Sequence, residues 1–181
     1  MIVNRSRYID QLVRSKGNGL IKIITGLRRS GKSFLLKKLF RQHLLDEGVS
    51  EDHIIIIDME SRKNKDFKNP DYLLDWVEKE MKDNFMYYII IDEVQEVNDF
   101  VEVLSTLAVT EGTDVYVTGS NSRFLSSDVV TEFRGRGDEI HVWPLSFGEF
   151  MSVYEGSKED GWAEYLMFGG LPQLLTQVGD D

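Results

Sequence analysis

Eight consecutive residues carry the clearest chemistry in this chain. Residues 26–33 read Gly-Leu-Arg-Arg-Ser-Gly-Lys-Ser and match the pattern G-x-x-x-x-G-K-[ST]. An apolar, strand-like run precedes this segment and a helix-forming run follows it, which is the context that the pattern requires. Glycines in such a turn let backbone N–H groups approach phosphate oxygens. The sequence therefore predicts a site for a nucleoside triphosphate.

The whole segment and the residue after it are expected to surround the phosphates. The predicted nucleotide-binding residues are Gly26, Leu27, Arg28, Arg29, Ser30, Gly31, Lys32, Ser33 and Phe34. Lys32 would reach the β- and γ-phosphates as a point charge, and Ser33 would offer its hydroxyl to Mg²⁺. The helix that starts here would direct its positive end at the anion.

A second segment indicates what happens to the nucleotide. Residues 87–93 read Tyr-Tyr-Ile-Ile-Ile-Asp-Glu, a run typical of a strand buried on both faces of a parallel sheet and followed by two carboxylates. Such an end is where open α/β sheets bind ligands. Asp92 is predicted to hold Mg²⁺, and Glu93 to orient and deprotonate the attacking water. A solvated acidic pair at a strand end is the alternative.

Composition limits the class of protein. The chain has 181 residues, of which 41% are hydrophobic, enough for one packed core. Neither a membrane-length apolar run nor a signal-peptide core is visible, so the cytoplasm is the expected compartment. The absence of cysteine excludes disulfides and thiolate metal sites, and the three histidines lack ligand spacing. Mg²⁺ is the one metal expected.

The net charge of −10 argues against a surface built mainly for nucleic acid, since that binding depends on neutralising phosphates. Local basic clusters stand out all the same, one of them formed by Arg5, Arg7, Arg14 and Lys16 before the first predicted strand, and most clusters are expected to be solvated faces. The loop from Ser61 to Asn69 is the basic segment worth testing for a partner, because it follows the second predicted strand near the nucleotide edge. Nucleic acid therefore stays an open possibility.

Strand-like and helix-like stretches alternate along the chain, which is typical of βαβ units. The predicted strands are Ile21–Thr25, Ile54–Asp58, Tyr87–Asp92, 115–119 and 140–143. The predicted helices are 34–45, 70–82, 99–109, 147–154 and 162–168. This order predicts an α/β P-loop NTPase with a mostly parallel five-stranded sheet flanked by helices.

Several further segments extend the match in a consistent order. These are Thr-Gly-Ser-Asn-Ser at 118–122, Gly-Arg at 135–136, Pro-Leu-Ser-Phe-Gly-Glu-Phe at 144–150 and Phe-Gly-Gly-Leu-Pro at 168–172. Together with the two earlier motifs, they resemble a bacterial and archaeal AAA-type ATPase family. In that family a P-loop domain precedes a poorly characterised C-terminal region. The resemblance covers nearly the whole chain, and it implies a fold of the ASCE/AAA type.

The resemblance also implies roles for single residues. Ser120 and Asn121 match the polar sensor position, where an amide can donate to the γ-phosphate or the water, although both residue types also favour turns. Arg136 matches an arginine that stabilises transition-state charge, in its own site or in that of a neighbouring subunit of a homo-oligomer, and a salt bridge is the alternative. Gln95 matches a DE-x-Q motif, where an amide could read the γ-phosphate or the water, or simply start a helix.

Tyr8 matches the N-terminal stretch of the family, where it would pack near adenine, with ordinary core packing as the alternative. Family members run to about twice this length, so the resemblance implies that a C-terminal region is missing here. It assigns residues 1–147 to the ATPase core and residues 148–181 to the start of a helical lid or C-terminal region.

Three functions remain open at this point. The first is an ATPase whose cycle changes the conformation of an attached or partner domain. The second is a switch that binds ATP or ADP with little turnover. The third is a DNA-handling ATPase. ATP is preferred over GTP because the chain has no N-K-x-D stretch.

Overall fold

The sheet of this protein is parallel throughout. The computed structural model describes residues 2–119, 133 and 137–172. Its strands are β1 (Ile21–Thr25), β2 (Ile54–Asp58), β3 (Tyr87–Asp92), β4 (Thr113–Thr118) and β5 (Gly137–His141). They are ordered β2-β3-β4-β1-β5, and each neighbouring pair is parallel. The predicted α/β fold with five strands is confirmed.

Helices cover both faces of the sheet. They are α1 (Ser6–Ser15), α2, α3 (Pro70–Glu80), α4 (Phe100–Val109), α5 (Phe147–Met151) and α6 (Lys158–Phe168). Helix α2 runs through Lys32–Phe34, a π-helical segment Leu35–Phe40, and Arg41–Asp46. Short 3₁₀ turns occur at Glu51–His53, Arg62–Lys68 and Val94–Glu96. Within the described ranges, the helices are too short or too polar to cross a membrane.

The first three strands have the predicted bounds, whereas β4 and β5 differ from the prediction. Strand β4 starts two residues earlier than predicted, and β5 covers 137–141 rather than 140–143. The apolar pattern misplaced β5 because the first half of this edge strand contains the polar residues Asp138 and Glu139, which pair with β1 all the same. The pairing continues past the strand, since Val142 N donates to Thr25 O at 2.8 Å.

Helix bounds differ where side chains cap the ends. Helix α6 begins at Lys158 rather than at 162, because the Ser157 hydroxyl accepts a hydrogen bond from Asp160 N at 3.1 Å. Helix α5 ends at Met151 rather than at 154, and its start is fixed by a capping box between Ser146 and Glu149. Helices α2, α3 and α4 each lie within two residues of prediction at both ends. Helix α1 was not predicted.

Two hydrophobic cores lie on opposite faces of the sheet, and alternate residues of β3 enter each. Ile89 and Ile91 belong to the core beneath α3 and α4, whereas Tyr88 and Ile90 belong to the core beneath α1 and α2. Each residue of β3 is buried. This confirms the prediction of a strand enclosed on both faces, and it fixes β3 and its terminal carboxylates firmly between the two helical layers.

A buried ion pair ties the N-terminal helix to the sheet. Lys22 of β1 pairs with Asp114 of β4, and both side chains are almost fully buried. The other oxygen of Asp114 accepts hydrogen bonds from Tyr116 Oη and from Gly17 N, each at 2.9 Å. Burial and the neighbouring Asp114 raise the pKa of the Tyr116 phenol, so this hydroxyl stays protonated and donates. The cluster thereby fixes the turn between α1 and β1.

Replacing Lys22 by Met should destabilise the fold strongly. The substitution leaves Asp114 buried without its cation, a loss of about 3–5 kcal/mol in the free energy of unfolding. Denaturant unfolding followed by circular dichroism measures it. The double variant Lys22→Met/Asp114→Asn should recover part of the loss, because the buried charge is gone. Equal stability of the wild type and the single variant would contradict this assignment.

Candidate nucleotide-binding site

The phosphate-binding loop follows β1 and is held against the edge of the sheet by close backbone contacts. Gly26 has a φ of 138°, and a Cβ atom there would lie 2.2 Å from Val142 O. Gly31 has a φ of 97°, and Arg29 adopts a positive φ of 67°. These conformations are those in which successive backbone N–H groups form an anion-binding concavity. The requirement for glycine at Gly26 and Gly31 is thus explained by conformation at both and by packing at Gly26.

Lys32 lies inside this loop. Its ammonium donates to Gly26 O at 3.0 Å and to Leu27 O at 2.9 Å. Burial lowers the pKa of Lys32, while the nearby carboxylates of Glu93 and Asp92 act in the opposite direction. The lysine is therefore positioned at the point where the loop concentrates positive potential.

The carboxylate of Asp92 is where several elements meet. It is 1% exposed, and its Oδ1 accepts from Ser33 Oγ at 2.9 Å and from Thr118 Oγ1 at 2.6 Å. Its Oδ2 contacts Lys37 Nζ at 2.8 Å. Burial lowers the pKa of Lys37, but its bonds to Asp58 and Asp92 outweigh this, so the net shift is upward and the ammonium is charged. The carboxylate of Asp92, at the end of β3, thus connects this strand to helix α2 and to strand β4.

The pair Ser33 and Asp92 suits Mg²⁺. Both predicted ligands supply oxygen, which Mg²⁺ prefers, and the direct contact between Ser33 Oγ and Asp92 Oδ1 places them at one point beside the loop. In the described part of the chain, histidine and acidic side chains do not gather into groups of three or more that would enclose a metal by themselves. A serine hydroxyl with a single carboxylate is a donor set that fits an ion also held by substrate phosphates.

Glu93 follows directly in an unusual backbone conformation. Its φ of 57° places it in the left-handed region, and its N–H donates to Thr118 Oγ1 at 2.9 Å. This turn directs Glu93 out of the strand. Residues with such strained backbone conformations cluster at functional sites. Gln95, in the 3₁₀ turn Val94–Glu96, donates its amide to Glu93 Oε2 at 2.5 Å. The structure thus places Gln95 on the carboxylate predicted to act as the base.

A groove of about 820 Å³ opens beside Glu93. The groove is lined by residues of the phosphate loop, of the 3₁₀ turn Val94–Glu96 and of the basic loop Ser61–Asn69 that the sequence analysis singled out. The charged and amide residues that line it are Arg28, Glu60, Arg62, Lys65, Lys68, Glu93, Gln95 and Glu96. Lys68 pairs with Glu96 at 3.0 Å. The basic loop therefore borders the candidate site itself.

Sequence reasoning missed Arg5, which was included among clusters expected to be solvated. Arg5 is 5% exposed, and its guanidinium donates to Ser30 O at 3.2 Å and to Trp143 O at 2.7 Å. Its Nε lies 3.0 Å from a carboxylate oxygen of Glu149. A charged residue in a polar N-terminal stretch gives no local signal of burial. Arg5 links α1, the phosphate loop and α5.

The stretch after β5 packs back over the loop. Leu145 N donates to Gly170 O at 2.6 Å, so the segments containing Pro-Leu-Ser-Phe and Gly-Gly-Leu-Pro meet. Pro172 lies close to the phosphate loop, because a Cβ atom on Gly31 would be 3.7 Å from Pro172 Cγ. The two segments that the resemblance drew on are therefore structural neighbours of the nucleotide-binding loop.

The remaining predicted site residues are Tyr8, Phe34, Ser120, Asn121 and Arg136. Tyr8 is buried in the core beneath α1 and α2, and its hydroxyl accepts from Trp143 N at 3.1 Å. Phe34 points outward and is partly exposed. Ser120, Asn121 and Arg136 lie outside the described residues. Strand β4 ends at Thr118, which donates a hydrogen bond to Asp92.

Comparison with known proteins agrees with this architecture. The model of a family described as an AAA domain matches residues 18–151. An uncharacterised protein of Haemophilus influenzae is 32% identical over 96% of this chain and 45% of its own length. An uncharacterised protein of Methanocaldococcus jannaschii is 26% identical over 99% of this chain and 40% of its own length. The chain thus spans less than half the length of these curated relatives.

A solved structure shares the fold. The Aeropyrum pernix ORC1 protein, solved in complex with DNA, superposes with a TM-score of 0.59 at 12% identity. The match covers 91% of this chain and 50% of that protein. At this identity the likeness shows a common fold.

Replacing Arg5 by Met should loosen the phosphate loop. The substitution removes the donors to Ser30 O and Trp143 O and leaves the buried Ser30 carbonyl unpaired, at a cost of about 1–3 kcal/mol. Hydrogen exchange at residues 27–33 should become faster. Arg7→Met is the matched control, because Arg7 is an exposed arginine two residues further along the chain, in α1. Equal exchange in both variants would contradict the linking role of Arg5.

Proposed function

This chain belongs to the AAA domain family, and from that premise we propose that it binds ATP with Mg²⁺ and hydrolyses it to ADP and phosphate. The observation that carries the proposal is the hydrogen-bonded path from Ser33 through Asp92 and Thr118 to Glu93. This path joins the phosphate loop to a carboxylate at the edge of the sheet. Binding and hydrolysis need these groups side by side.

Each residue then has a chemical task. Lys32 and the backbone N–H groups of residues 27–33 would bind the phosphates. Bound Mg²⁺, held through Ser33 and Asp92, would neutralise charge on the β- and γ-phosphate oxygens. Glu93 would accept a proton from water as the water oxygen attacks the γ-phosphorus and the bond to the β-γ bridging oxygen breaks.

Two predicted residues would complete the site from the segment outside the described ranges. Asn121 matches the polar sensor position of the family, where an amide would donate to the γ-phosphate or the water. Arg136 would stabilise charge in the transition state, in its own site or across a contact between subunits. These roles rest on the match to the family pattern.

The cycle would be coupled through the segments that contact the loop. Arg5 connects Ser30 to α5, and Pro172 lies beside Gly31, so a change in the loop would reach the C-terminal helices directly. The curated relatives extend over more than twice the matched length. We propose that the C-terminal region of such proteins, or a partner protein, receives this change.

Two substitutions test hydrolysis. Glu93→Gln should lower phosphate release from Mg-ATP by about 10²- to 10⁴-fold while ATP binding is kept, because only the proton acceptor is removed. Lys32→Ala should weaken ATP binding itself by about tenfold or more, because a charge-assisted contact to phosphate is lost. Phosphate release and equilibrium binding of a fluorescent ATP analogue measure the two effects.

Lys38→Ala is the matched control, because Lys38 is exposed on the same helix. It should behave as the wild type in both assays. Tight binding without turnover in the wild type, with Glu93→Gln unchanged, would contradict hydrolysis and favour the alternative function, a switch controlled by ATP or ADP.

The groove favours a second candidate function, a DNA-handling ATPase. Arg62 and Lys65 line the groove that also contains Glu93, so a polyanion on the basic loop would lie beside the proposed base. The neighbouring Lys68 is already paired with Glu96. This arrangement would let a bound nucleic acid influence turnover, despite the net negative charge of the chain.

Charge reversal of the loop tests this second function. Arg62→Glu/Lys65→Glu should abolish binding to single- or double-stranded DNA and any stimulation of ATP turnover by DNA, since phosphate contacts dominate such binding. Lys79→Glu/Lys158→Glu changes the net charge equally at two exposed lysines and should preserve both. DNA binding that survives the loop reversal, or that both double variants weaken alike, would exclude the groove as the binding surface.

A further inference from the structure

A single ammonium bridges two carboxylates at the sheet edge. Lys37 Nζ lies 2.8 Å from Asp58 Oδ2 and 2.8 Å from Asp92 Oδ2. The two aspartates end neighbouring strands in the same register, since Asp58 pairs with Asp92 across β2 and β3. The Oδ2 atoms of the two aspartates therefore face the same point, and the ammonium of Lys37 lies there.

Both carboxylates are fixed by their other oxygen. Asp58 Oδ1 accepts from Glu60 N at 3.0 Å, and Asp92 Oδ1 accepts from Ser33 and Thr118. Each Oδ2 is thus held toward Lys37 by contacts that do not involve Lys37. The Asp58 side chain is also partly exposed, so ions from solvent have a route to this point.

The helix that carries Lys37 positions its ammonium. Lys37 follows Ser33 by four residues, a spacing that places both side chains on one face of a helix. It lies in the π-helical segment Leu35–Phe40, in which Leu36 and Phe40 are buried in the core. Such segments occur often at functional sites. The backbone that carries Lys37 is therefore anchored in the core, and from there its ammonium reaches the two aspartates.

We propose that Lys37 is a resident cation that makes divalent-ion binding at this edge depend on the nucleotide. Its ammonium lies between Asp58 Oδ2 and Asp92 Oδ2. The oxygen of Asp92 that stays available to an ion is therefore Oδ1, beside Ser33. There, the phosphate oxygens of the nucleotide must complete the coordination. This inference rests on the proposed role of Ser33 and Asp92 in holding Mg²⁺.

The physical basis is competition for two negative charges. Without the ammonium, two preorganised carboxylate oxygens would face each other, which strongly favours a divalent cation with oxygen ligands. A tethered ammonium competes well because it is held at a high effective concentration and loses little freedom on contact. Removing it should create an ion site that needs no nucleotide.

The test measures Mn²⁺ binding to the nucleotide-free protein by electron paramagnetic resonance, with Mn²⁺ as the probe. Lys37→Met should gain one site that binds at least about tenfold more tightly than any site of the wild type, because a full positive charge has left the cluster. Lys38→Met, which removes an exposed lysine next in sequence, should bind as the wild type does. Lys37→Met/Asp58→Asn should lose the gain.

A folded Lys37→Met variant that binds Mn²⁺ no better than the wild type would overturn the proposal. So would a gain that persists when Asp58 is also replaced. If Lys37→Met is too unstable to purify, Lys37→Gln replaces it. The melting temperature of Lys37→Gln should rise with added MgCl₂ more than that of the wild type. An equal rise in both proteins would overturn the proposal. These ion-binding assays contain no nucleotide, so their outcome does not depend on whether the protein hydrolyses ATP. Failure of hydrolysis would be seen separately, in the phosphate-release assay.

Discussion

The buried carboxylate of Asp92 is the constraint on which the site depends. A charge that is 1% exposed is tolerated in a protein only when opposite charges and donors surround it. Here those partners are Ser33 and Lys37 from α2 and Thr118 from β4. The need to satisfy one carboxylate therefore holds the phosphate loop, the helix after it and two strands in a fixed relation.

The parallel sheet supplies the rest of this relation. Because the strands are parallel, the C-terminal ends of β1, β2, β3 and β4 lie at one edge, which brings Asp58, Asp92 and Thr118 together from segments distant in sequence. Two cores clamp β3 from both faces, so its end has little freedom. Gly26 completes the arrangement, since its contact with Val142 admits no side chain.

Sequence alone predicted the parts of the site that lie in continuous patterns. The apolar runs of β1, β2 and β3 and the phosphate loop are local signals, and the structure places Ser33 and Asp92, the two residues predicted to hold Mg²⁺, in contact. Arg5 and Lys37 were not found, because each acts through partners far away in sequence. Strand β5 was displaced, since an edge strand with polar residues lacks the apolar pattern of a buried one.

The central claim is that this edge of the sheet binds Mg-ATP, and a crystal structure with a non-hydrolysable ATP analogue and Mg²⁺ tests it most directly. The account predicts phosphates on the backbone N–H groups of residues 27–33, the ion beside Ser33 and Asp92 Oδ1, and Lys37 still on Asp92 Oδ2. A nucleotide bound elsewhere, or an ion that lies away from Ser33 and Asp92, would contradict it.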